Sequence, residues 1–162
     1  MIDRLPPHSV EAEQSVLGAI LIDRETIIEI AEFLRPEDFY RQAHASVYRA
    51  MVELFERREP IDLITVAEAL ERGEDLEQIG GRAYLSQLSN QTPTAVHAVQ
   101  YARIVERKAV LRNLIGAAGK IAGIGYEDPA ETAGGRPPTG RADWVAATAQ
   151  VPLPRRADLG AP

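Results

Sequence analysis

Cysteine is absent from all 162 residues, so neither a disulfide framework nor a thiolate metal site can form. That absence fits a reducing, cytoplasmic setting. No apolar run approaches the roughly 20 residues that a membrane span needs. Residues 1–7 lack the charged-then-apolar pattern of a secretory signal. Strong alternation of period two is missing throughout, which argues against a sheet.

The usual chemical motifs are missing too. Gly119-Lys120 is the nearest approach to a phosphate-binding loop, but the places of its first glycine and its Ser/Thr hold Leu114 and Ile121. Gly123-Ile124-Gly125 lacks the third glycine of a dinucleotide fingerprint. His8, His44 and His97 have no paired helical spacing for a metal. His44 falls on an apolar face and reads as a packed histidine. The carboxylates are expected to scatter over solvent faces, and no activated nucleophile is recognisable. The pattern therefore contains no catalytic, cofactor-binding or metal site.

What is present is helical spacing and an uneven charge. Residues 1–93 carry 9 Lys+Arg against 18 Asp+Glu, and residues 94–126 carry 5 against 1. Ser9 is placed to cap a first helix bearing Val16, Leu17, Ile20 and Leu21, with Glu11 and Glu13 at its positive end. Asp23 is placed to cap a second, carrying Ile27, Ile28, Ile30, Ala31 and Leu34 and stopped by Pro36. Phe39 and Tyr40 read as aromatic anchors in a connector. His44, Val47, Tyr48, Met51, Leu54 and Phe55 recur at helical spacing. A capping box at Thr65 opens a helix that stops near Gly73, and a turn at Gly80-Gly81 precedes a helix with Ala83, Tyr84, Leu85 and Leu88.

Beyond Pro93 the pattern predicts one long helix, capped by Thr94 and reaching about Gly123. Some 30 residues of helix span ~45 Å, more than a small head can bury on one side, so a projecting arm is expected. Its apolar stripe includes Ile104, Leu111, Leu114 and Ala118. Arg103, Arg107, Lys108 and Arg112 form a basic strip on consecutive turns, a candidate contact for nucleic acid or for a partner. Gly116, Gly119 and Gly123 share a face, either admitting a second helix closely or fraying the end.

These residues carry a family resemblance. Pro6-Pro7-His8-Ser9-Val10-Glu11-Ala12-Glu13-Gln14-Ser15-Val16-Leu17-Gly18 resembles the opening motif of bacterial replicative DNA helicases of the DnaB family. In order follow Pro36-Glu37-Asp38-Phe39-Tyr40, Pro60-Ile61-Asp62-Leu63-Ile64-Thr65, Gly80-Gly81, Tyr84-Leu85, Thr92-Pro93-Thr94-Ala95 and Tyr101-Ala102. The resemblance covers about residues 4–131. It implies a non-catalytic N-terminal domain, a helical head followed by a helical hairpin. Hairpins pair between subunits, giving a collar built as a trimer of dimers. ATP and magnesium belong to a separate motor domain of the family. The collar also docks the C-terminal domain of primase, and the family positions for that contact match Tyr84, Ile115 and Ile121. A helicase loader is a further implied partner; DNA is contacted weakly or through the complete ring.

The expected organisation is an all-α chain: a head over 1–93, an arm over 94–126, a turn over 127–131 and an aberrant tail over 132–162. The tail holds 4 Gly and 5 Pro in 31 residues, has few aliphatics, and cannot supply the hairpin's second arm. It is expected to be disordered, as a frame-shifted or artificial end would be. The alternative is a small DNA-binding or adaptor protein using the basic arm, opposed by the head's negative charge. A stand-alone enzyme is the weakest reading, since no site chemistry supports it.

Overall fold

In the computed structural model the described residues are 4–126 together with 140, 141, 145, 146 and 149. The expectations for the turn at 127–131 and for most of the tail lie outside them. Among the described residues the regular structure is helical throughout: α1 (Val10–Ile22), α2 (Thr26–Ile30), a 3-10 turn (Pro36–Asp38), α3 (Gln42–Glu56), α4 (Leu63–Arg72), α5 (Leu76–Ile79), α6 (Gly81–Gln91) and α7 (Ala98–Tyr126). The chain divides into two compact units, Met1–Ala109 and Val110–Pro162, with the division falling inside α7.

The first unit is built around α1, which packs against α3 and α6. Val16, Leu17, Ala19 and Ile20 lose all contact with solvent there, together with Val47, Tyr48 and Met51 of α3 and Leu85 and Leu88 of α6. Ala98, Ala102 and Val105 join the same core, so the opening turns of α7 belong to the head's packing. The small side chains at 98 and 102 let that helix lie close to its neighbours. Ser9 caps α1 as expected, its hydroxyl accepting from the Ala12 amide at 3.3 Å. Phe39 is buried against Tyr48, whereas Tyr40 stays on the outside and stacks on His8 with ring centroids 4.3 Å apart.

Several local expectations shift. The second helix ends at Ile30, although Ile27, Ile30 and Leu34 are buried as their spacing requires. Ile28 points outward. The cap of α4 is Asp62 and not Thr65: the Asp62 carboxylate accepts from the Ile64 and Thr65 amides, and the Thr65 hydroxyl accepts from the Asp62 amide. A carboxylate at the N-cap also meets the positive end of the helix dipole, which favours Asp there. Thr94 accepts from the Val96 amide in a turn, and α7 begins only at Ala98. The short α5 escaped sequence reading because one turn carries too little periodicity to detect.

Gly18 explains how α1 and α6 come so near. A Cβ at this position would run into the Thr92 hydroxyl and the Leu88 carbonyl, which are themselves hydrogen-bonded at 3.0 Å. Gly80 is required for a different reason. Its φ of 105° lies in the left-handed region and turns the chain from α5 into α6.

Asp38 ends the 3-10 turn with its carboxylate accepting from the Arg35 amide at 2.8 Å. Burial raises its pKa above the ordinary carboxylate value; that hydrogen bond works the other way, and the nearby Glu106 and Glu37 charges add to the rise.

Two measurements follow from this packing. Gly18→Ala should destabilise the fold by about 1–3 kcal/mol, the usual cost of overpacking, with a lower urea midpoint. An unchanged midpoint would show that α1 and α6 are not held at this distance. Asp38→Asn keeps an acceptor but removes a charge that folding makes harder to hold. Because the folded pKa is raised, the charged form penalises the native state above the ordinary carboxylate range, and the penalty disappears as pH falls through it. The variant should therefore be the more stable protein at pH 7 and lose that advantage towards pH 3. A constant difference across that range would contradict the assignment.

Candidate functional site

The most organised polar feature is a hydrogen-bonded chain linking α1, α3 and α6. Glu13 is 1% exposed and His44 0%, so both sit in the interior. This corrects the expectation that Glu13 merely serves the end of α1 on a solvent face. It lies on the same face as Val16, Leu17 and Ile20, one turn earlier, which carries it into the core.

Its partners account for the burial. Glu13 Oε1 accepts from the Tyr40 amide at 2.6 Å, and Oε2 accepts from the Arg41 amide at 3.4 Å. His44 Nδ1 stands 2.6 Å from Oε2, and His44 Nε2 stands 2.7 Å from the Tyr84 hydroxyl oxygen. Gln14 Nε2 reaches the same hydroxyl at 3.3 Å. A carboxylate has only acceptors to offer, so Nδ1–H donates to Glu13; Nε2 is hydrogen-bonded to the Tyr84 hydroxyl, whose oxygen accepts from Gln14. No buried side-chain nitrogen or oxygen among the described residues lacks a partner. A Glu–His–hydroxyl series can activate a nucleophile, yet here its terminal hydroxyl is a phenol held by two neighbours. The arrangement is a structural tie.

The residues assigned to partner contact fall in different environments. Tyr84 is half-buried, its ring packed on the core and its oxygen bound as described. Ile115 is 58% exposed and Ile121 half-buried in the second unit. Of the apolar stripe, Ile104, Leu111, Leu114 and Ala118 are all exposed, Leu114 at 46%. Large aliphatics left in water on successive turns are an ordinary mark of a surface that another chain covers.

The basic strip is less available than its spacing suggests. The guanidinium of Arg103 lies 3.5 Å over the centre of the Phe33 ring, and its Nη1 pairs with Glu106 at 3.0 Å. Arg107 is exposed and Lys108 and Arg112 are half-buried. Gly119-Lys120 lies inside α7, where backbone amides are directed into the helix, so these residues do not fit a nucleotide phosphate. An open groove lined by Arg24, Ile28, Phe55, Arg58 and Ile61 contains none of the residues that sequence pattern assigns to function. Among the described residues there is no group of three or more metal-ligating side chains, and no helix is long and apolar enough to cross a membrane.

Among the described residues, a helical head with its polar interior satisfied and a long helix that exposes aliphatics define an all-helical domain. The DnaB-like helicase N terminal domain model matches residues 5–107, and the chain belongs to that family. It is 51% identical over 124 residues to the replicative DNA helicase DnaB of Geobacillus stearothermophilus, covering 76% of this chain and 27% of that protein. Against the replicative DNA helicase DnaC of Bacillus subtilis it is 47% identical over 131 residues, 80% of this chain and 29% of the relative. The chain thus spans less than a third of the length of these relatives. In three dimensions it matches the crystal structure of the N-terminal domain of DnaB helicase from Mycobacterium tuberculosis with a TM-score of 0.77 and 41% identity, over 90% of this chain and 96% of that one. A structure of a DnaB-like replicative helicase and its interactions with primase matches with a TM-score of 0.62 and 32% identity, over 69% of this chain and 26% of that one.

The buried tie makes a direct demand on stability. Glu13→Gln places an amide donor against groups that already donate, so at least one buried donor loses its acceptor. Such a loss costs about 1–3 kcal/mol, readable as a lowered urea midpoint at constant slope. Wild-type stability in this variant would mean that the carboxylate is not required.

Proposed function

We propose that the chain acts as the non-catalytic collar domain of a hexameric replicative DNA helicase in the bacterial cytoplasm, serving ring assembly and primase docking. The observation that carries this reading is the match, over nearly the whole length of a solved DnaB N-terminal domain, at 41% identity. The likeness to a helicase described with its interactions with primase supports the choice of partner. ATP and magnesium belong to the motor domain of the family, and no residue here is assigned to them.

In this reading the stripe of Ile104, Leu111, Leu114 and Ala118 is covered by helices of a hairpin and of a second copy, building a trimer of dimers. Tyr84, Ile115 and Ile121 anchor the C-terminal domain of primase, an aromatic and two aliphatics being the residue types that fill pockets at such interfaces. A helicase loader is a further partner of the assembled ring. The alternative, direct DNA binding through Arg103, Arg107, Lys108 and Arg112, loses support because Arg103 is engaged by Phe33 and Glu106.

Titration of a fluorescently labelled primase C-terminal domain tests the docking role. Tyr84→Ala and Ile115→Asp should each weaken binding by about ten-fold or more, the scale of a hot-spot residue. Unchanged affinity in both variants, with native helicity retained, would remove primase docking from this domain.

A further inference from the structure

We propose that His44, wholly enclosed and unable to touch any partner, is a positioning residue for primase docking: it sets the orientation of Tyr84 through the hydrogen bond to its hydroxyl. This rests on the reading of Tyr84 as a docking residue.

The Tyr84 hydroxyl is held by two side chains. His44 Nε2 is hydrogen-bonded to it at 2.7 Å, and Gln14 donates to the same oxygen at 3.3 Å. The imidazole and phenol planes are parallel to within 3° with centroids 6.0 Å apart, too far for face-to-face stacking, so the hydroxyl bond is the specific link between them. His44 itself cannot turn, because Nδ1 is fixed 2.6 Å from the buried Glu13 carboxylate, which the Tyr40 and Arg41 amides hold in turn. A half-buried phenol normally swings about χ1 and χ2, and an interface that uses one rotamer must hold it there. The series from Glu13 to Tyr84 does this before the partner arrives.

The test is primase binding by the full chain carrying Tyr84→Ala, Tyr84→Phe, His44→Leu, His44→Gln and the double variant Tyr84→Phe/His44→Leu. Tyr84→Phe keeps the ring and loses the tether; His44→Gln offers a terminal amide near the Nε2 position. Ile30→Ala, a core change on α2, controls for general loss of stability. Positioning predicts that Tyr84→Phe and His44→Leu each weaken binding about five-fold, that their double variant is no weaker than either, and that His44→Gln recovers part of the loss. Ile30→Ala should bind as the wild type does. If Tyr84→Ala weakens binding while Tyr84→Phe and His44→Leu do not, docking stands and positioning is overturned. Additive losses, or an equal loss in Ile30→Ala, would also overturn it. No effect from Tyr84→Ala would remove the docking role of Tyr84 and this proposal with it.

Discussion

A carboxylate in the interior must be compensated or it unfolds the protein, and in this domain Glu13 is the group that imposes the condition. Its two oxygens draw in the Tyr40 and Arg41 amides at the entrance to α3 and the imidazole of His44 one turn later. Those amides precede a helix and lack carbonyl partners within it, so the acid satisfies donors that the helix leaves unpaired. The other nitrogen of the imidazole needs a partner as well, and the Tyr84 hydroxyl of α6 supplies it. Three helices far apart in sequence are joined by a requirement that begins with one acid.

Directional contacts of this kind add specificity that apolar packing does not. Val16, Leu17, Ile20, Leu85 and Leu88 would bury comparable area in several neighbouring arrangements of α1 against α6. The Gly18 contact fixes how closely the two helices approach, and the polar chain fixes their register with α3. Distance and register are thus set by separate devices, one steric and one electrostatic.

Much of the head was legible because helical spacing shows directly in the apolar residues. His44, Val47, Tyr48, Met51 and Leu54 are all buried, as their recurrence along α3 requires. The Ser9 cap and the turn at Gly80 were legible from residue types with few other uses. Glu13 was not, since an acid in the first turn of a helix has a sufficient explanation at the surface. Only the position of His44, distant in sequence, shows that it points inward. The pairing of Arg103 with the Phe33 ring was hidden in the same way, because a cation's partner across a fold leaves no local signal. Asp62 in place of Thr65 as the α4 cap is a nearer miss: both residues belong to one reciprocal box, and the stronger acceptor takes the cap.

The long helix presents the opposite balance. Gly116, Gly119 and Gly123 lie within α7, and a Cβ on any of them would meet nothing within 4 Å. Each glycine costs a helix roughly 1 kcal/mol against alanine, and among the described residues no neighbour lies close enough at those positions to offset it. The helix nevertheless continues to Tyr126. Exposed aliphatics at Leu111, Leu114 and Ile115 add unfavourable hydration nearby. Both costs are offset once another helix packs closely, because absent side chains then permit backbone approach and the aliphatics leave water. Under the collar reading, the features that weaken α7 as an isolated helix are the ones that make assembly favourable.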